Sequence, residues 1–131
     1  MIAVTNILDI IFDKCVDFGI SDVREAPKDI LGPLKSEMIG IHAKSLVPGT
    51  YWKKGFVEVN LYVPDIEGEQ DLIRLGQLER ASYSIFDELS GKFDGTGYRY
   101  SIYSTGIEEN EPAQSHYVNV KLLFEVLNTR L

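Results

Sequence analysis

The chain has 131 residues, which fits a single domain that buries about two thirds of its unfolded surface. Hydrophobic residues make up 44% of it and charged residues 25%, a composition that argues against wholesale disorder. The formal net charge of −7 offers no basic surplus to release counterions from a phosphate backbone, so we expect no specific nucleic-acid binding.

The cysteine content and the N-terminal stretch bear on location. Cys15 is the one cysteine, so no intramolecular disulfide can form and a reducing compartment is favoured. Asp9 and Asp13 interrupt the first apolar stretch, and no basic residue precedes it, unlike a signal peptide. No apolar run approaches the roughly 20 residues that span a bilayer. The sequence therefore predicts a cytoplasmic protein with no membrane partner.

The first predicted element is an amphipathic helix from Thr5, its expected N-cap, to Phe18. Its apolar stripe contains Leu8, Ile11, Cys15 and Phe18. Gly19 suits the left-handed residue that ends many helices. Because Cys15 belongs to the apolar stripe, we interpret it as a core side chain rather than a catalytic thiol.

Asp9, Asp13 and Asp17 form a second stripe on the other side of this helix. A metal site needs oxygens that converge on one point, whereas these three carboxylates stand in a column. We therefore interpret the stripe as a solvated helix face.

The next segment, residues 20–36, has no regular period because Pro27, Gly32 and Pro33 interrupt it. It leaves room for a short strand near Val23 and a turn of helix at residues 29–31. A strand is then predicted from Met38 to Lys44, followed by a turn at residues 47–50. We expect this strand to form an antiparallel hairpin with the strand that follows.

The segment from Gly55 to Gly91 organises the predicted fold. Val57, Val59, Leu61 and Val63 alternate with bulkier or polar neighbours, as in a half-buried strand, and Pro64 ends the run. A helix is predicted from Glu69 or Gln70 to Ser90, roughly 30 Å long at 1.5 Å per residue.

The C-terminal part predicts a second hairpin. Gly95-Thr96-Gly97 lacks the Lys-Ser/Thr ending and the long spacing of a phosphate-binding loop. A strand is predicted from Tyr98 to Ser104, then an acidic loop over residues 106–112, then a strand from His116 to Leu127. The inward face of the last strand is apolar throughout, which predicts a central position in the sheet.

These elements, in the order α-β-β-α-β-β, predict one α+β domain over residues 1–131. The expected architecture is a four-stranded, mainly antiparallel sheet built from two hairpins. An N-terminal helix and a long central helix are expected to pack on one face of it.

Few residues suggest catalysis. His42 and His116 have no partner at metal-ligand spacing and no nucleophile-elbow or triad context. We therefore predict no enzyme activity, no catalytic residues, no metal and no cofactor. A small enzyme or ligand-binding domain that uses the His42 and His116 region is the alternative from another functional class.

The stretch Val-Glu-Val-Asn-Leu-Tyr-Val-Pro-Asp-Ile-Glu-Gly-Glu-Gln-Asp, residues 57–71, leads into a Leu-x-x-Leu-x-x-Leu helix. This combination resembles the tail-terminator and tail-completion proteins of tailed bacteriophages. In that family a strand ends in a Pro-Asp or similar turn, a long helix crosses the sheet, and a final hairpin closes the domain. The segments Tyr98–Ser104 and Tyr117–Leu127 stand where the closing hairpin would, and the first helix also fits. Residues 20–36 and 46–54 have no counterpart.

The resemblance implies structural work in virion assembly. Family members form rings, typically hexamers, that cap the tail tube and join it to the head or neck. Self, tail-tube and neck proteins are the implied partners, in the host cytoplasm during assembly and in the virion afterwards. A head-closure or neck subunit is the closest rival function.

Two segments are candidates for the subunit contact of such a ring, in which unlike patches meet. One is the aromatic and basic tip Tyr51, Trp52, Lys53 and Lys54; the other is the acidic segment with Glu108, Glu109 and Glu111. Opposite charges would set the register, and aromatic rings would supply buried area. Alternatively, Trp52 folds back and covers the end of the core.

Overall fold

The computed structural model describes residues 1–30 and 32–128. Within these residues, two α-helices and six β-strands follow one another, with short 3-10 helices at Val16–Phe18 and Glu111–Ala113. The main elements are α1 (Val4–Cys15), β1 (Val23–Glu25), β2 (Met38–Ala43), β3 (Trp52–Pro64), α2 (Leu72–Ile85), β4 (Leu89–Phe93), β5 (Thr96–Asn110) and β6 (Ser115–Leu127).

All six strands form one mixed, curled sheet with the order β1-β2-β3-β6-β5-β4. Its centre is the antiparallel pair β3–β6, whose register runs without interruption from Trp52 opposite Leu127 to Pro64 opposite Ser115. β1 is the exception to the antiparallel arrangement, because it runs parallel to β2 at one edge. The two central strands therefore have a neighbour on each side.

The core lies on one face of this sheet. Alternate residues of β3 and β6 point toward the helices, and they are almost completely buried. They pack in one cluster with the apolar stripe of α1 and with Leu75 and Leu78 of α2. The buried strand residues are Val57, Val59, Leu61, Val63, Val118, Val120, Leu122, Phe124 and Val126.

Several predictions for individual elements are confirmed. A short strand lies at Val23, β2 pairs antiparallel with β3, and β6 is central with the predicted inward face. Cys15 is a fully buried core residue, and Gly19 has a left-handed φ of 74° at the end of the first helical segment.

The predicted fold class was wrong: the sheet has six strands rather than four, and the central helix is short. α2 spans 14 residues; Asp71 is its N-cap and accepts a hydrogen bond from the Arg74 backbone N–H at 3.2 Å. The helix stops at Ile85, and Leu89–Phe93 forms strand β4. Phe86 and Leu89 continue the helical spacing of apolar residues, and for this reason the helix was predicted to extend to Ser90.

Strand β4 exists because of the turn that follows it. Asp94 and Gly95 both have positive φ, 50° and 78°, which is the signature of the type I′ turn that joins two-residue hairpins. They connect β4 directly to β5. An Asp-Gly pair is typical of such a hairpin turn. Its Gly95 is also the first residue of the Gly95-Thr96-Gly97 segment, which was compared with a phosphate-binding loop instead.

The acidic loop was also predicted wrongly, because β5 continues through it to Asn110. Glu108 lies opposite Tyr117, and Glu109 lies opposite His116. A β-bulge between Ile102 and Ser104 shifts the alternation of the strand, so its polar end did not match a strand pattern.

The remaining corrections are local. The N-cap of α1 is Ala3 rather than Thr5, and the Ala3 backbone N–H donates to the Asn6 side chain at 2.9 Å. The predicted helix to Phe18 ends as an α-helix at Cys15 and continues as a 3-10 turn. Of the helical turn predicted at residues 29–31, Asp29 and Ile30 are not helical, and Leu31 lies outside the described residues.

The central strand offers a matched test of the core. Leu122 is fully buried and Leu127 is 42% exposed, and both are leucines of β6. We expect Leu122→Ala to lower the free energy of unfolding by about 2–5 kcal/mol, because it leaves a cavity in the core. Leu127→Ala should cost less than about 1 kcal/mol. Urea denaturation measures both, and equal losses would contradict the assigned faces of β6.

Candidate functional site

The sheet face that carries no helix presents an ordered polar and aromatic surface, which we call the outer face. It is formed by the residues of β3, β5 and β6 that alternate with the core residues. Its members include Trp52, Lys54, Phe56, Glu58, Asn60, Tyr62, Arg99, Tyr103, Glu108, Tyr117, Asn119, Lys121 and Glu125. Most of them form hydrogen bonds, ion pairs or ring contacts with one another, as described below.

One end of the outer face is organised around the buried carboxylate of Glu125, which is 8% exposed. The Arg99 guanidinium donates to it from Nε at 3.1 Å and from Nη2 at 3.2 Å, and Lys54 Nζ lies 3.4 Å away. The same guanidinium lies over the ring of Trp52, 4.0 Å from its centroid. Hydrogen bonding from Arg99, with the charge of Lys54 added, holds the pKa of Glu125 below its usual value.

The middle of the outer face repeats this pairing of a cation with an aromatic ring. Lys121 Nζ lies 4.3 Å from the centroid of the Phe56 ring and 5.6 Å from that of Tyr103. The two rings meet edge to face with centroids 5.0 Å apart. These distances are within the range of cation–π attraction.

The other end contains a tyrosine pair. The ring centroids of Tyr62 and Tyr117 are 4.8 Å apart, and the Tyr117 hydroxyl donates to Glu108 Oε2 at 2.6 Å. Asn119 donates to Asn60 Oδ1 at 2.8 Å beside them. Burial raises the pKa of both tyrosines, and for Tyr117 the hydrogen bond to Glu108 raises it further.

The structure places the predicted tip at the Glu125 end of the sheet. Tyr51 is 74% exposed and precedes β3, whereas Trp52 is half-buried under Arg99. Trp52 therefore covers part of the outer face and is not a member of the buried core cluster. Lys54 is paired with Glu125, and Lys53, on the opposite face, has no ion pair within residues 1–30 and 32–128.

The predicted acidic residues lie at the opposite end. Lys53 stands opposite Val126 and Glu109 stands opposite His116, so ten residues of β6 separate them. At 3.3 Å per residue this is roughly 33 Å. The two predicted segments therefore cannot contact each other within one chain.

Each end also exposes apolar side chains, which the sequence analysis missed for the acidic end. There Ile66, Leu72 and Ile73 are 59%, 60% and 76% exposed. Ile73 lies off the Leu-x-x-Leu-x-x-Leu repeat of the predicted helix, and this departure was the available signal; Leu72 lies on the repeat. We define the acidic end as Asp65, Ile66, Glu67, Glu69, Asp71, Leu72, Ile73, Glu108, Glu109 and Glu111.

At the other end the exposed apolar residues are Val47, Tyr51 and Leu127, at 65%, 74% and 42%. We define the basic end as Val47, Tyr51, Trp52, Lys53, Lys54, Lys92, Arg99 and Leu127. Charges of the other sign are present at both ends. Glu125 and Asp94 lie at the basic end, and Lys28 lies near Glu109 at the acidic end.

The two histidines lie on opposite faces of the sheet. His116 Nδ1 is 2.7 Å from Asp65 Oδ1, on the helix side. His42 stands opposite Glu58 on the outer face and lines a cavity of about 300 Å³ beside Tyr62. They therefore cannot act on one substrate atom, and no combined His42 and His116 site exists.

The described residues offer no triad around His116. Its neighbour Ser115 is fully buried, and its hydroxyl has no hydrogen-bond partner in the described part of the chain. Successive strand residues point to opposite faces, so His116 cannot activate Ser115. Among residues 1–30 and 32–128, no three His, Cys, Asp or Glu side chains form a group that could hold a metal ion. No described helix is long and apolar enough to cross a membrane.

Comparison with known proteins gives no assignment. No protein-family model matches the chain, and no curated protein matches it in sequence.

Cys15 provides a probe of the core. Burial raises the pKa of its thiol to about 12, so at pH 8 the native protein holds about a thousand-fold fewer thiolates than a thiol at the ordinary value of 9.0. We expect very slow reaction with a disulfide reagent in the native state and fast reaction in urea. Native reactivity equal to that of the unfolded chain would show that α1 does not stay packed.

Glu125 predicts a component of acid sensitivity. Its pKa is lower in the folded chain, so its contribution to stability is present above its usual value of 4.5 and is lost as the pH falls through the folded pKa. Glu125→Gln should therefore make the unfolding free energy less dependent on pH below about 4.5. Arg99→Met should have a larger flattening effect than Lys54→Met, because Arg99 makes two hydrogen bonds to this carboxylate. Urea denaturation from neutral to acidic pH compares the variants. If Glu125→Gln leaves the slope of the unfolding free energy against pH unchanged, a contribution of Glu125 to acid sensitivity is excluded.

Proposed function

We propose that this protein is a structural subunit that assembles head to tail into a closed ring. The observation that supports this proposal is the position of its two candidate contact patches at opposite ends of one sheet, roughly 33 Å apart. A contact between unlike patches leaves one free patch of each kind at the two ends of the growing assembly, so addition continues until rotation closes the ring.

The composition of the two ends supports the same contact. The basic end carries Lys53, Lys54, Lys92 and Arg99, and the acidic end carries seven carboxylates. Apolar side chains are exposed at both, which provides area that a partner could bury. Opposite charges would orient the encounter, and they disfavour the pairing of two identical ends.

We further propose that the ring is of the tail-terminator or tail-completion type of tailed bacteriophages, with tail-tube and neck proteins as its other partners. The support is the sequence of residues 57–71 and the helix after it. The predicted overall layout no longer adds support, because the sheet has six strands and α2 has 14 residues. Tail-tube and tape-measure genes beside its own gene would support the phage assignment; neighbours of unrelated function would count against it.

Charge reversal at the basic end tests the ring contact. Lys53 is the variant of choice because Lys54 already pairs with Glu125 within the subunit. We expect Lys53→Glu to weaken self-association by about tenfold, through repulsion from the acidic end of the next subunit. Sedimentation velocity at rising concentration, alone and with a tail-tube protein, provides the measurement.

Two further variants make this result specific. Arg80→Glu makes the same change of charge on α2 and should leave assembly unaltered. Glu111→Lys, on the exposed acidic end, should restore assembly when combined with Lys53→Glu. A wild-type chain that stays monomeric under every condition, or rescue that fails while Arg80→Glu also disrupts assembly, would refute the proposed contact.

A further inference from the structure

The aromatic groups of the outer face differ in whether a cation lies over the ring. Trp52 has the guanidinium of Arg99 over its ring, and Phe56 with Tyr103 has the ammonium of Lys121. The pair Tyr62 and Tyr117 has no cation over either ring in the part of the chain that the structure describes. This pair is therefore an aromatic surface like the other two, but no cation from the described residues lies over it.

A cavity of about 300 Å³ opens beside this pair. The two tyrosines form part of its wall, together with Met38, His42 and Pro27. Gly40 packs closely behind two of the wall residues, because an added Cβ would come within 3.1 Å of Pro27 and 3.5 Å of the Tyr62 ring. The volume is at the low end for sites that hold a small molecule, so it suits one side chain better than a large cofactor.

The charges around the cavity are mainly negative. Asp29 lines it, and Glu108 accepts the hydrogen bond from Tyr117. These carboxylates lie near rings whose faces are themselves electron-rich, so a cation would be attracted by both. Two basic side chains, Lys28 and His42, also line the cavity and act against this attraction. Within the described residues Lys28 forms no ion pair and does not lie over either ring.

We propose that this cavity binds one positively charged side chain, a lysine or an arginine, presented by a partner polypeptide. The tyrosine rings contact the cation, and Glu108 and Asp29 neutralise its charge. Tyr62 is 9% exposed and Tyr117 is fixed by its bond to Glu108, so the rings are already in position before a ligand arrives. Recognition of the cation does not depend on ring assembly, and the partner can be a second copy or a different protein.

A pair of small ligands tests the recognition. N-acetylargininamide carries the guanidinium, and N-acetylcitrullinamide has nearly the same shape without the charge. We expect the first to shift the ring resonances of Tyr62 and Tyr117 saturably in the NMR spectrum of the full chain. The second should bind at least about tenfold more weakly. Equal effects of both ligands, or shifts confined to residues around Asp9, Asp13 and Asp17, would overturn the proposal.

Substitutions separate the ring contact from general changes in charge. Tyr117→Leu should abolish the response of Tyr62, whereas Tyr117→Phe keeps the aromatic ring and should retain binding. Asp29→Asn should weaken binding several-fold, and Glu67→Gln, at the same end but outside this cavity, should not. Tyr83→Leu is the matched control on α2, 53% exposed in the wild type. Full binding by Tyr117→Leu with native dispersion in its spectrum would contradict the proposal.

The source of the cation is identified in the same samples. If a second copy provides it, added N-acetylargininamide should lower the self-association of the full chain, and Lys53→Met should do the same. If a different protein provides it, the ligand should bind while the sedimentation of the chain stays unchanged. A wild-type chain that never assembles but still binds the ligand would refute the ring contact alone, whereas absence of ligand binding would refute this inference alone.

Discussion

The pairing of β3 with β6 is the constraint on which the rest of the structure depends. Their register runs unbroken from Trp52 and Leu127 to Pro64 and Ser115, and it sets both faces of the sheet at once. A shift of one residue would turn the row from Val57 to Val63 away from the helices and bring Glu58 and Asn60 into the core. Such a shift is excluded by the cost of burying those polar groups without partners. The helices, the outer strands on each side and the outer face all take their positions from this pair.

The same pairing produces the functional surface. Because a strand alternates strictly, the residues between the core positions of β3, β5 and β6 form rows that contact across the sheet. Arg99 meets Glu125 and Trp52, Lys121 meets Phe56, and Tyr62 meets Tyr117. The long strands also hold charges of opposite sign far apart, at the basic and acidic ends. A protein with a net charge of −7 thus keeps a local surplus of positive side chains at one end.

The sequence predicted what depends on regular alternation and failed where local geometry overrides it. The inward rows of β3 and β6 and the stripe of α1 were readable because apolar residues repeat with the correct period. The end of α2 was not readable in this way, because Phe86 and Leu89 satisfy helical spacing. The Asp94-Gly95 turn instead makes Leu89–Phe93 a strand. The bulge after Ile102 concealed the acidic half of β5. At the candidate site, the tip and the acidic residues were identifiable from their charge. The cavity at the tyrosine pair joins residues from four parts of the chain, and no local pattern contains it.

The central position of β3 and β6 has a consequence for how the chain folds. Fifty residues, 65–114, separate the two strands in sequence, so their contact closes a long loop and belongs to the slower kind of folding event. During synthesis at about 5–20 residues per second, β3 waits several seconds before β6 emerges. In that interval its alternating valines and leucine lack the partner strand that later covers one edge, and such an edge can pair with another chain. Glu58 and Asn60 interrupt the apolar run, as polar residues do in strands that resist aggregation. The strand that anchors the finished sheet is therefore the one most dependent on protection before the sheet is complete.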